Sequence, residues 1–121
     1  MSGYRDLKVW QINEVCIKDA LTLMKNLPDD YALQHVAKQL FRAVSSVGAN
    51  IAEGQDSYDG KEFIRYINIA IRSAIESDHW LATLENLLRD SNLVKTLASS
   101  NVETIKMLKG LKRSIEEKRE N

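Results

Sequence analysis

The chain has one cysteine, Cys16, so no internal disulfide and no thiolate metal cluster can form. One proline and five glycines are too few to punctuate an all-β chain with its many turns. No stretch approaches the ~18 consecutive apolar residues of a membrane span. Tyr4, Arg5, Asp6 and Lys8 interrupt any leader-like start. Neither sign of charge is in excess: 17 basic residues balance 17 acidic ones, whereas a dedicated nucleic-acid binder carries a basic surplus. Residues 61–121 hold eleven basic and nine acidic side chains, so any attraction for phosphate is local to the C-terminal half. There is no glycine-rich phosphate loop, no nucleophile with a base in place and no metal-ligand set. The expectation is a cytoplasmic protein in a reducing compartment, not an enzyme, with no cofactor, no metal and no catalytic residue.

What is present is helical periodicity. At 121 residues, 44% hydrophobic and 28% charged, the chain suits one globular domain. Val9, Ile12, Cys16, Ala20, Leu23 and Leu27 recur every three or four residues and predict a first helix over residues 7–27, closed by Pro28. Leu33, Val36, Leu40, Val44, Val47 and Ile51 repeat the pattern over 32–52. Gly48 lies inside that helix at a cost of about 1 kcal/mol unless a neighbour comes close, and Gly54 suits its C-terminal stop. Asp59 and Glu62 read as a capping box for a third helix over 60–89. Its stripe of Phe63, Ile67, Ala70, Ala74, Leu81, Leu84 and Leu88 is widened by Ile64, Ile71 and Ile75, which predicts a second partner such as another subunit. Residues 90–99 read as a packed loop. Ser100 and Glu103 then read as the cap of a fourth helix over 101–118. Short connections between four such helices give an all-α, antiparallel up-and-down four-helix bundle.

The stretches SVGANIAEG and KEFIRYINIAIRS, with YRDLKVWQ at the start, resemble bacterial four-helix bundle proteins encoded within intervening sequences of large-subunit ribosomal RNA genes. The motif falls on Arg42, Ser46, Asn50, Ile51, Ala52, Glu53, Gly54, Lys61, Glu62, Phe63, Arg65, Ala70, Ser73 and Glu76. The resemblance implies a bundle that assembles as a homopentamer, with no established enzyme activity. Accessory proteins of retroelement reverse transcriptases are similar in fold, and they hold nucleic acid and the polymerase on a basic surface.

Two sets of residues are candidates for function. Lys61, Arg65, Asn68, Arg72, Glu76 and His79 share one polar face of the third helix. Lys106, Lys109 and Arg113, with Lys112 beside them, form a basic strip on the fourth. Lys61, Arg65, Arg72, Lys106, Lys109 and Arg113 can bind an RNA or DNA backbone through charge-assisted hydrogen bonds, with bases stacked on Tyr58 or Tyr66. The alternative is a solvated face, or ion pairs between subunits in which Glu76 meets Arg72 or a neighbour's Arg42. Asn50 and Glu53 read either as a polar pocket or as a register device paired with Arg42 or Arg65. Ser46 and Ser73 let the second and third helices approach closely. Glu76 and His79 make one Glu-x-x-His step, but a di-iron bundle needs two such steps and further glutamates. The expected partners are other copies of the chain, a pentamer, and then RNA, DNA or a nucleic-acid-associated protein, with no membrane.

Overall fold

A computed structural model describes residues 3–57 and 59–120. After a 3-10 turn at Tyr4–Asp6 come four helices: α1 (Lys8–Asn26), α2 (Tyr31–Gln55), α3 (Gly60–Leu87) and α4 (Asn92–Glu120). Each helix packs on its neighbours in chain order and α1 closes against α4, so α2 and α4 stand diagonally across the bundle. This is the expected up-and-down arrangement. The α2–α3 seam is the most extensive.

Local chemistry sets the ends. Pro28 cannot continue α1, and Gln34 Nε2 reaches back to the Met24 and Pro28 carbonyls at 3.4 Å each. Asp30 caps α2 by accepting from Leu33 N at 2.9 Å. Asp59 caps α3 by accepting from Lys61 N at 3.0 Å, while Glu62 turns to Arg65 instead of completing a capping box. In the last connection Asp90 takes φ 64°, which aspartate tolerates better than most residues. Ser91 then caps α4 through Val94 N at 3.2 Å.

Two expectations are corrected here. Residues 92–99 are helical, and Ser100 and Glu103 lie inside α4 instead of capping it. The stripe Val94, Leu97, Asn101, Thr104, Leu108 is continuous in space, but two of its buried members are polar. Gly54 is not the stop of α2, which runs on to Gln55 without a positive φ at that glycine. Its role is steric: a Cβ there would lie 2.8 Å from Phe63 Cδ1 and 2.9 Å from Tyr66 Cβ.

The core is divided in two. One cluster gathers Cys16, Ala20, Leu23, Leu40, Leu81, Leu84 and Leu97 near one end. The other gathers Val9, Val47, Ile51, Ile67, Ala70 and Leu108 near the opposite end. At the junction every helix supplies a small or polar residue: Asn13 from α1, Gly48 from α2, Ser77 from α3, Asn101 and Thr104 from α4. Buried polar groups need partners, and here they mostly find helix carbonyls. Asn13 Nδ2 donates to Val44 O at 3.2 Å, and Asn101 Nδ2 donates to Ala74 O at 2.8 Å. Ser77 and Thr104 bond back onto their own helices. Asn13 Oδ1 is buried without a donor among the described residues. It faces Gly48, where a Cβ would sit only 2.5 Å away.

Candidate functional site

The α2–α3 seam collects the motif residues. Arg42, Ser46, Asn50 and Glu53 recur at helical spacing, which turns one side of α2 toward α3 or its rim. The Arg42 guanidinium pairs with the Glu76 carboxylate of the same chain, while Arg42 Nε also donates to Gln39 Oε1. Glu76 accepts in addition from Trp80 Nε1 at 3.0 Å. One turn along, Ser46 Oγ and Ser73 Oγ lie 3.0 Å apart, and Asn50 Nδ2 donates to Ser46 O and Oγ. The serines therefore do allow close approach. Asn50 satisfies its own helix's turn, Glu53 is exposed and in no ion pair among the described residues, and Glu76 meets Arg42 within the protomer. Phe63 and Gly54 interlock at the end of the seam.

The basic candidates lie on the outside. Lys61, Arg72, Lys106, Lys109 and Arg113 are exposed. Arg65 pairs with Glu62 at 2.6 Å and lies 4.5 Å above the Tyr66 ring, and the Glu62 hydrogen bond and charge hold its guanidinium above its ordinary pKa. Tyr58, the other stacking candidate, lies outside the described residues. The six-residue polar face of α3 is not one surface, since Glu76 turns into the α2 seam and His79 packs edge-on against Trp80 at 4.7 Å. Arg113 borders Ile64 of α3 in an open groove shared with Glu116, Glu117 and Arg119.

A polar pocket at Glu53 was expected with Asn50, which does not line the groove found there, and the buried asparagines were not anticipated. An open groove of about 520 Å³ at the α2–α3 end gathers Glu53, Asp56 and Glu62 beside Tyr4 and Tyr66. The sequence signal was there, since residues 52–62 carry four acids and one base. The buried asparagines showed only as gaps in the apolar stripes. Cys16 is sealed in the core, and burial, with Asp19 adding to it, pushes its thiol up to about 11. A thiol that stays protonated is a poor nucleophile. Among the described residues no three of His, Cys, Asp and Glu gather as metal ligands, and no helix is long and apolar enough to cross a membrane.

The fold and its polar seam define a four-helix bundle protein. The chain belongs to the 23S rRNA-intervening sequence protein family, whose model matches residues 5–110. It is also similar to a crystal structure from Bacteroides thetaiotaomicron, described as a protein with unknown function from the S23 ribosomal protein family. That likeness has a TM-score of 0.77 at 25% identity, covering 86% of this chain and 97% of the other. No curated protein matches the chain.

Proposed function

We propose that the chain is a non-enzymatic, homo-oligomeric structural or interaction protein of the cytoplasm, five copies to a ring, whose assembled surface recruits a macromolecule. The observation that carries this reading is the apolar surface left over once the four helices have packed. Ile71 is absorbed by the core, but Ile75 is 52% exposed, Ile64 lines an open groove and Val102 on α4 is 41% exposed. A register bond from Asn101 to Ala74 puts Ile75 and Val102 at one level of the α3–α4 flank. Burying the exposed half of such side chains is worth roughly 1 kcal/mol each, and repetition around a ring multiplies the gain. Light scattering on the whole chain tests it: a multiple of 13.8 kDa is expected, and a single-chain mass at all concentrations defeats it.

One observation favours a second reading, an RNA- or DNA-binding accessory module. Residues 104–115 contain four cations and no acid, and Lys61 and Arg72 add exposed charge on α3. Phosphate binding of this kind falls steeply with salt. Retention on a polyanion column that collapses as salt rises supports this reading, and passage through the column at low salt rejects it.

A further inference from the structure

We infer that the polar junction is a register lock. One polar contact on every helix seam, with Asn13 seated against Gly48 as the strictest, holds the four helices at one longitudinal setting.

The contacts form a closed belt. Asn13 joins α1 to the Val44 carbonyl of α2, and Ser46 joins α2 to Ser73 of α3. Asn101 joins α4 to the Ala74 carbonyl of α3, and the Thr104 hydroxyl of α4 lies beside the Cys16 sulfur of α1. The circuit touches α1 at Asn13 and Cys16, α2 at Val44 and Ser46, α3 at Ser73 and Ala74, and α4 at Asn101 and Thr104. No helix advances by more than three residues along the way, about 4.5 Å of rise. The Val44 and Ala74 carbonyls lie inside helices, and each offers the asparagine its second lone pair.

The apolar stripes do not set this register by themselves. They recur every three or four residues, so sliding one helix by a turn brings apolar side chains opposite apolar side chains again. The connections allow such a slide, because unwinding one turn at a helix end supplies the shift of about 5.4 Å. What a slide changes is the surroundings of the asparagines. Asn13 comes close to the α2 backbone because Gly48 has no side chain, and a Cβ there would lie 2.5 Å from its Oδ1. One turn away on the same face of α2 stand Val44 and Ile51, both buried. Either would hold the amide off the backbone and leave it buried without a partner. Asn101 is held less strictly, since Ala70, Ala74 and Ser77 are all small, and Ile67 and Leu81 close that stretch at its two ends. A buried asparagine that costs stability and fixes a single register has this use in coiled coils. Asn50, the register candidate in the sequence, bonds to Ser46 of its own helix and joins no seam.

The test is the amide NMR spectrum of the full chain with each asparagine in turn replaced by leucine, which is similar in shape and makes no side-chain hydrogen bond. The wild type should give one amide peak for each residue other than proline. Asn13→Leu should split the α1 resonances into two or more sets and lose the nuclear Overhauser contact between the Ile17 methyl and Gly48, which now adjoin. Its helicity and its urea midpoint, at one protein concentration, should stay at or above the wild-type values. Asn101→Leu should split the α4 resonances and leave α1 as it is. A merely structural role predicts the opposite pattern: one sharp set of peaks, the Ile17–Gly48 contact intact and a lower urea midpoint. That result overturns the lock. If Asn13→Leu does not fold, Asn13→Ala adds no bulk and is read by the same peak count and contact. Loss of folding in both also overturns the lock, which predicts a bundle that persists in more than one register.

Discussion

Replacing Gly48 by alanine should destabilise the wild-type protein and stabilise a protein that lacks the Asn13 side chain. In an ordinary helix interior the change gains about 1 kcal/mol, because alanine loses less backbone freedom. At position 48 the new methyl would meet Asn13 Oδ1 at 2.5 Å, well inside contact distance. Asn13 is 1% exposed and its amide is held by the Val44 carbonyl, so moving it strands a buried donor at a cost of roughly 1–3 kcal/mol. The net effect in the wild type is a loss of up to about 2 kcal/mol. In an Asn13→Ala background the clash is gone and the methyl fills space, so the same change gains about 1 kcal/mol. Urea unfolding of the four proteins, at one protein concentration because assembly adds to apparent stability, gives the coupling. It should be roughly 1–3 kcal/mol, the range of residues in contact. The same effect of Gly48→Ala in both backgrounds would refute the contact.

Three further outcomes are expected. Gly54→Ala should cost about 1–3 kcal/mol in urea unfolding through its clash with Phe63 and Tyr66, and Gly54→Asn should be worse still; rescue by asparagine would instead mark a left-handed helix stop. The Cys16 thiol titrates at 9.0 when unfolded and is raised to about 11 when folded, so its stabilising contribution is full below pH 9 and lost as pH rises toward 11. Within that window stability should fall by up to about 1.4 kcal/mol per pH unit, and Cys16→Ala should flatten the slope. Arg42→Ala should cost no more than about 1 kcal/mol, because the ion pair is solvent-screened, whereas Glu76→Leu should also shift Trp80 fluorescence by removing the acceptor of its indole N–H.

Much of this fold was legible as periodicity. The stripes of α1, α2 and α3 are apolar at nearly every inward position, and their predicted spans lie within a few residues of the observed ones. What was hidden follows from the polar junction between the two half-cores. Asn101 and Thr104 occupy inward positions that periodicity expects to be apolar, so the first turns of α4 read as a separate loop. Asn13 was masked in the same way by its half-buried neighbour Ile12. Gly54 misled because glycine serves both as a helix stop and as a gap for a neighbour, and only the positions of Phe63 and Tyr66 separate the two uses. The motif residues of the seam were placed on the right helices. Which carboxylate meets which cation depends on side-chain reach, and the Arg42–Glu76 pair within one protomer shows that.

Sedimentation equilibrium of the wild-type chain at low and high salt tests the central claim most directly. Self-association through the exposed apolar side chains of α3 and α4 predicts a mass that is a multiple of 13.8 kDa at both salts, five for a ring. A mass of one chain throughout would contradict it.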